Sequence, residues 1–280
     1  MKILFCIDDS QGNNRRAVKL IAELFKYSRP QILLLGTITE VRKKDDCLAE
    51  LKSISYKLKR LGFIQVKMKC TLANSVGQIL KEIKRGKQDL IIKVVPGVSK
   101  LLEDFSDLIL DETTNQLLSR INVSLLVIKN PKKLATVLLC TDGQISAKKA
   151  VTFWAKYKKD HQPRVNILNV IPSLYAHLGD FLRGEAKKIL ELVEELPMKR
   201  IKYLYEAQRM LLIKGIPAKI KLREGHAAEE ILEESKLSYD LIVMGFKGRR
   251  NKNSLGEQVK KVIQGSNISV LALKNNINTK

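Results

Sequence analysis

The sequence has no long apolar run among its 280 residues. The longest runs, such as Val123–Ile128 and 241–245, have the length of strands and fall far short of the ~18 residues that a membrane-spanning helix needs. The first strand-like run meets two acids, Asp8 and Asp9, and no small-residue cleavage site follows it, so a secretory signal peptide is not indicated. We therefore expect a cytoplasmic protein with no membrane contact.

Cysteine and histidine are also scarce, with four and three residues. No two cysteines have CxxC spacing and the histidines lie far from them, which disfavours a metal site. Reduced and mostly buried thiols are the simplest expectation. Nothing in the sequence places a Ser–His–Asp or Cys–His set in a supporting context, so we predict no catalytic residues.

Acidic residues are in the minority, since 51 Lys and Arg face 29 Asp and Glu for a formal net charge of +22. Such an excess is typical of proteins that bind nucleic acid or other anions. The basic residues are dispersed, however, and form no separate tail or arm. This spread favours a lysine-rich solvated surface over nucleic-acid binding, which stays open as an alternative.

The chain repeats itself. Four segments recur in the same order: 3–9 with 137–143, 15–18 with 148–151, 89–92 with 240–243, and 124–130 with 269–275. A short polar linker with a proline, 130–133, separates the two copies. The sequence thus predicts two domains, residues 1–131 and 135–275.

Within each copy, buried-strand patterns alternate with helical patterns. In the second copy the predicted strands are 137–141, 165–170, 218–222, 241–244 and 268–273, and the predicted helices are 146–158, 179–214, 227–235 and 255–264. This order predicts an α/β fold, with each domain a doubly wound, five-stranded parallel sheet in the order 3-2-1-4-5 and helices on both faces. The last strands, Leu125–Ile128 and Val270–Leu273, are apolar and predicted to lie at sheet edges, so we expect them to pack together.

Polar and glycine residues follow strands one and four of the second domain, where such sheets bind ligands. Asp142 follows strand one and can accept hydrogen bonds from ribose hydroxyls. The candidates after strand four are small or basic: Gly245, Lys247, Gly248 and Arg249. Glycines let backbone N–H groups approach phosphate, and Gly256 opens a helix whose N-terminus would face the same crevice. A tight turn followed by a capped helix is the alternative explanation.

Several of these segments together resemble the universal stress protein family. The resemblance rests on 137–143, on the REGHAAEEIL run at 223–232, on DLIVMGFKGR at 240–249 and on 256–274. It extends over nearly the whole chain as two tandem copies. It implies a regulatory protein of the stress response, one that binds ATP or AMP in its second domain, with Mg²⁺ accompanying ATP and at most slow hydrolysis.

The resemblance also assigns positions within that domain. Thr141 and Gly143 flank Asp142 as in family members that bind nucleotide, and Val170 matches the position whose backbone meets adenine. Those members carry G-x2-G-x9-G-[ST], whereas here only seven residues separate Gly248 from Gly256, and Glu257 replaces the hydroxyl residue that contacts phosphate. The loop is thus shortened and one phosphate contact is lost.

The first domain departs further from the family pattern. Only Gly97 follows its fourth strand, and Asp111 and Glu112 begin the corresponding helix. Two acids at a phosphate position argue against ATP there, so we expect a degenerate copy. Family members join subunits through the last strand, which implies an intramolecular pseudo-dimer here, with a homodimer also open. A protein–protein association module that binds no nucleotide is the alternative function.

Overall fold

The computed structural model describes residues 1–7, 11–38, 40, 43–72, 75–95, 110–142, 151–153, 163–171, 201–247 and 255–275. In the first half these form β1 (Lys2–Ile7), α1 (Gln11–Phe25), β2 (Gln31–Ile38), α2 (Lys44–Arg60), β3 (Gln65–Leu72), α3 (Ser75–Gly86), β4 (Leu90–Val94), α4 (Glu112–Arg120) and β5 (Ser124–Ile128). In the second half they form β6 (Thr136–Cys140), β7 (Arg164–Ile171), α5 (201–213), β8 (Ala218–Glu224), α6 (Ala227–Ser235), β9 (Leu241–Lys247), α7 (Glu257–Gly265) and β10 (Ser269–Asn275).

The ten strands form one sheet in the order β3-β2-β1-β4-β5-β10-β9-β6-β7-β8. Each half has the order 3-2-1-4-5 with parallel neighbours, and this confirms the predicted α/β fold class. β5 and β10 meet antiparallel, with Leu126 opposite Leu271. The sheet is therefore continuous across the two halves, and its outer edges are β3 and β8.

Apolar residues cover both faces of the sheet. Successive residues of a strand point to opposite faces, so Ile3 and Phe5 of β1 join one core while Leu4 and Cys6 join the other. The first core packs beneath α1, α2 and α5, and the second packs beneath α3, α4, α6 and α7. The central strands read as nearly continuous apolar runs, interrupted by Lys93 in β4, because they are buried on both sides.

The two outer strands carry lysines, and one lysine in each pairs with a buried glutamate of the following helix. Lys69 Nζ lies 2.5 Å from Glu82 Oε1, and Lys221 Nζ lies 2.5 Å from Glu234 Oε1, and the partners are 13 positions apart in sequence in both cases. The charges discourage pairing of these edges with other chains. The same ion pair therefore occurs in both halves, at positions outside the four repeated sequence segments.

One strand of the second half is longer than its apolar run suggests. Strand four was expected to end at Met244, but β9 continues to Lys247 because β10 pairs with it as far as Asn275. Phe246 is buried in the core, which holds this extension in the sheet. Gly245 and Lys247 therefore lie within β9 rather than in the turn after it.

Reciprocal hydrogen bonds join the halves at the β5–β10 seam. The backbone N–H of Lys129 donates to Ser269 Oγ and that of Lys274 donates to Ser124 Oγ, each at 3.1 Å. The Lys129 side chain, only 2% exposed, crosses the seam and donates to the carbonyls of Ile263 and Ser266, both at 2.6 Å. It thus holds the C-terminal end of α7, where a cation is favoured by the helix dipole.

Burial lowers the pKa of Lys129 from 10.5 to about 8. The unfolded chain then binds more protons than the folded chain between these values, so the free energy of unfolding gains a contribution from this residue as the pH rises. Relative to Lys129→Met, we expect the native chain to gain about 2–3 kcal/mol of stability between pH 7 and 10.5. Urea denaturation of both proteins across this range measures the difference.

Lys132→Met removes an exposed lysine of the adjoining linker and controls for the loss of one charge. The difference in the free energy of unfolding between the native chain and Lys129→Met should change with pH. If that difference stays constant over this pH range, or if Lys132→Met gives the same pH dependence, the Lys129 ammonium is not buried at the seam.

Candidate functional site

The carboxyl ends of β6, β7 and β9 meet at one edge of the second half. Cys140 at the end of β6 is paired with Leu168 of β7 and with Met244 of β9. Val170 and Gly245 lie one or two residues beyond these partners. The structure therefore brings the strand-end candidates Thr141, Asp142, Val170 and Gly245 together on three adjacent strands.

A buried asparagine fixes the backbone after β6. The N–H of Thr141 donates to Leu168 O at 2.9 Å, and Asn169 Nδ2 donates to Thr141 O at 2.7 Å. Asn169 is 1% exposed, and its Oδ1 has no hydrogen-bond partner among the described residues. These bonds position Thr141 and the exposed Asp142 at the strand end. Our reading of the sequence missed Asn169, although an amide within the apolar run of β7 is the signal that could have found it.

Gly256 is the N-cap of α7, with φ −61° and ψ 149°, and is partly exposed. A side chain built there would meet no atom of the described residues within 4 Å. Leu255 is buried and anchors the approach to the helix, while Glu257 is exposed in the first turn. The first-turn N–H groups and the helix dipole favour an anion at this end, and the Glu257 carboxylate is the described acid nearest to it in sequence.

The helix is also tied to its neighbour. Gln258 Oε1 accepts a hydrogen bond from the Ala228 N–H at the start of α6, at 3.1 Å. His226 is the N-cap of α6 and makes no side-chain capping bond. Gln258 therefore supplies from α7 an acceptor for the first turn of α6, which fixes the two helices relative to each other.

Part of the predicted site lies outside the described residues. Gly143, Gly248 and Arg249 belong to that part, as does the rest of the segment between β9 and α7. Lys247 is described as the last residue of β9.

The equivalent edge of the first half is built differently. There Cys6 is paired with Leu35 and with Lys93 of β4, so Lys93 stands where the second half has Met244. Lys93 is 3% exposed, and its Nζ lies 3.6 Å from Asp111 Oδ2. A buried ammonium was not anticipated from the sequence, because one lysine in an apolar strand reads as a strand end or a solvent-facing position.

Asp111 is occupied as a helix cap. Its Oδ1 accepts from the Thr114 N–H at 2.6 Å, and its Oδ2 accepts from Thr114 Oγ at 2.9 Å. Glu112 accepts from Gln116 Nε2 at 2.8 Å. The protein's own carboxylate thus takes the place at the α4 N-terminus where an anionic ligand would bind. Asp8 and Asp9, the acids after β1, lie outside the described residues.

Glu234 is the centre of a hydrogen-bonded network of polar and charged side chains in the second half. Glu234, 4% exposed, accepts from Lys221 Nζ and from Tyr239 Oη at 2.7 Å. Burial alone would raise the pKa of Glu234, but the hydrogen bonds from Lys221 and Tyr239 outweigh it and lower that pKa. Burial, with the nearby Glu234 charge, raises the pKa of the Cys140 thiol. Cys140 therefore stays protonated and packs as a core residue.

The described residues show neither a metal-binding cluster nor a membrane-spanning helix. The described residues contain no group of three or more His, Cys, Asp or Glu side chains that could hold a metal ion. No helix among them is long and apolar enough to cross a membrane.

Comparison with known structures returns the same architecture. A putative universal stress protein from Pseudomonas aeruginosa is 18% identical, with a TM-score of 0.67, and the match covers 98% of this chain and 92% of that one. A universal stress protein from Archaeoglobus fulgidus is 17% identical, with a TM-score of 0.64, and covers 98% of both chains. A protein of unknown function from Pseudomonas aeruginosa is 18% identical, with a TM-score of 0.65 and the same coverage as the first. At these identities the likeness concerns the fold.

Comparison with curated proteins finds no match. The sequence model of the universal stress protein family, in contrast, matches residues 134–274, which is half of the chain and spans every described element from β6 to β10. Together with the strand order and the strand-end residues, this match shows that the chain belongs to the universal stress protein family.

Proposed function

We propose that the second half binds an adenine nucleotide, ATP or AMP, and that the protein acts as a regulatory binding module of the stress response with at most slow ATP hydrolysis. One observation carries the proposal. Asp142, Val170 and Gly245 lie near the carboxyl ends of β6, β7 and β9, at the edge where α/β sheets bind ligands. The N-cap of α7 is a glycine, which supplies no side-chain capping bond.

Each part of the nucleotide has a candidate partner. Asp142, flanked by Thr141 and Gly143, would hold the ribose hydroxyls, and the Val170 backbone would meet adenine. The phosphates would lie toward the α7 N-terminus, which begins at Gly256. The remaining phosphate candidates are the basic and glycine residues around the end of β9: Gly245, Lys247, Gly248 and Arg249. Mg²⁺ would accompany ATP as its usual counter-ion.

Glu257 limits what this site can bind tightly. A carboxylate in the first turn of α7 takes the favourable end of the helix dipole for itself and repels a phosphate brought to the same place. The penalty grows with the number of phosphates near the helix. We therefore expect ATP to bind more weakly than the rest of the site would allow, while adenosine escapes this penalty.

The first half would be a second, degenerate copy of the same domain. Asp111 caps α4 and pairs with the buried Lys93, so these two charges balance each other. A phosphate there would have to displace a carboxylate from both partners. We propose that this half supports the other, and that β5 and β10 form the contact of an intramolecular pseudo-dimer in the cytoplasm.

The association module remains the second candidate, and Glu257 is the observation that favours it. If the Glu257 carboxylate excludes phosphate altogether, neither half binds a nucleotide. The function of the protein would then be to bind other proteins. A homodimer would have to use surfaces other than β5 and β10, since these strands already pair within the chain.

The Glu257 penalty can be measured by substitution. Glu257→Ser removes the repulsion and adds a hydroxyl at the helix N-terminus, so ATP binding should strengthen by about 0.5–2 kcal/mol while adenosine binding changes little. Titration calorimetry with ATP, AMP and adenosine gives the three affinities.

Glu112→Ser is the matched control, because Glu112 holds the same first-turn position in α4 of the other half. It should leave all three affinities unchanged. Equal effects of Glu257→Ser on ATP and adenosine, or no effect on either, would show that Glu257 does not face phosphate.

Binding should also be confined to one half. We expect calorimetry with ATP to give one site per chain, and Asp142→Ala to weaken that site by about 1–3 kcal/mol through loss of a charge-assisted hydrogen bond to ribose. Two equivalent sites would contradict the assignment of the first half as a degenerate copy.

A further inference from the structure

Two cysteines of the first half lie in neighbouring elements and are partly exposed. Cys47 belongs to the first turn of α2, and Cys70 belongs to the outer strand β3. Both side chains pack against the core beneath α1, α2 and α5. The other two cysteines, Cys6 and Cys140, are buried in β1 and β6. Cys47 and Cys70 are therefore the two thiols that a small solute can reach from the surface.

A glycine in β2 lets Cys47 approach the sheet closely. A Cβ atom built on Gly36 would lie nearer to Cys47 Sγ than the 3.0 Å below which real Cβ contacts essentially never fall. It would also lie 3.3 Å from Leu51 Cδ1. Because Gly36 has no side chain, the Cys47 sulfur can rest directly above its backbone, on the face of the sheet that α2 covers.

Cys70 is the next residue across the sheet from Gly36. β2 and β3 are parallel, and Gly36 is paired in register with Cys70. Residues paired in this way point to the same face, and neighbouring strands lie about 4.8 Å apart. The Cys47 sulfur and the Cys70 side chain therefore lie on one face of the sheet, about one strand spacing from each other. A disulfide joins Cα atoms about 4.4–6.8 Å apart, and the close approach of α2 over Gly36 suits that span.

The second half has no such pair, since it contains a single cysteine. The register of the sheet equates Gly36 with Asn169, because each follows the residue paired with the cysteine of the central strand. Asn169 is paired with Leu222, so Leu222 stands where the first half has Cys70. Four strands separate β2 from β9, the first strand of the candidate nucleotide site. The two thiols thus belong to the first half alone.

We propose that Cys47 and Cys70 form a dithiol that hydrogen peroxide oxidises to an intramolecular disulfide, which joins α2 to β3. One thiol attacks a peroxide oxygen, so that an S–O bond forms, the O–O bond breaks and one water leaves. The second thiol attacks the oxidised sulfur, the S–S bond forms and a second water leaves. The two sulfurs lose two electrons, and their protons end in the two waters. This chemistry is independent of nucleotide binding by the second half.

Limited oxidation of the native chain tests the assignment. The chain is freed of reductant, treated with a small excess of hydrogen peroxide, alkylated in urea and digested without reduction. We expect two of the four thiols to be lost, a Cys47–Cys70 linkage to appear in the digest, and dithiothreitol to restore all four thiols. In the chain unfolded in urea before oxidation, the same linkage should form at least about tenfold more slowly, because the fold no longer holds the two thiols together.

Cysteine variants identify the partners. Cys47→Ser and Cys70→Ser should each abolish the linkage, and dimedone should trap the remaining thiol of the pair as a sulfenic acid. Cys6→Ala removes a buried cysteine of the same half and should leave the linkage and its rate of formation unchanged. Circular dichroism verifies that each variant is folded.

Filling the space above Gly36 tests the geometry. Gly36→Val places a side chain where the Cys47 sulfur lies and lifts the start of α2 from the sheet, which should slow formation of the linkage at least about fivefold. Gly77→Val adds the same side chain in α3, where a Cβ would meet no described atom within 4 Å, and should leave the rate unchanged. A digest without the Cys47–Cys70 linkage, equal rates in the folded and unfolded chains, or equal rates in the two valine variants would overturn the proposal.

Discussion

The antiparallel pairing of β5 with β10 is the contact on which the rest of the molecule depends. Both strands are apolar and buried, and each would be an exposed sheet edge if its half stood alone. Pairing them converts two five-stranded sheets into one sheet whose outer edges carry lysines. It also creates the seam that the Lys129 side chain crosses, since that contact needs residues from both halves. The fold and the seam thus share one origin.

The strand order and the element types could be predicted because they follow from patterns that the chain repeats. The apolar runs around Leu4, Leu138 and Val270 read as buried strands, and their alternation with helical patterns leaves few topologies. The end of β9 was misplaced because the register with β10, rather than local composition, decides where Gly245 and Lys247 lie. The register between two distant strands cannot be predicted from the sequence of either strand alone.

The candidate site was predictable to a smaller extent. Asp142 and Val170 could be placed because strand ends in a parallel sheet share one edge. The roles of Lys93, Lys129 and Asn169 could not, since each is a polar residue whose partners lie far away in sequence or on the backbone of another strand. Burial of such groups is set by tertiary contacts: a polar residue inside an apolar run can indicate a buried group, but the sequence does not identify its partner.

The hydrogen bonds from Lys129 to the C-terminal end of α7 have a mechanical consequence. The nine residues of α7 make a rod about 13 Å long, held at its C-terminal end by the first half and presenting its N-terminal end to the candidate phosphate site. A displacement of one end of this helix is transmitted to the other end, because a helix is far stiffer than the loops around it. The first half thereby contacts one end of the helix whose other end faces the candidate phosphate site of the second half.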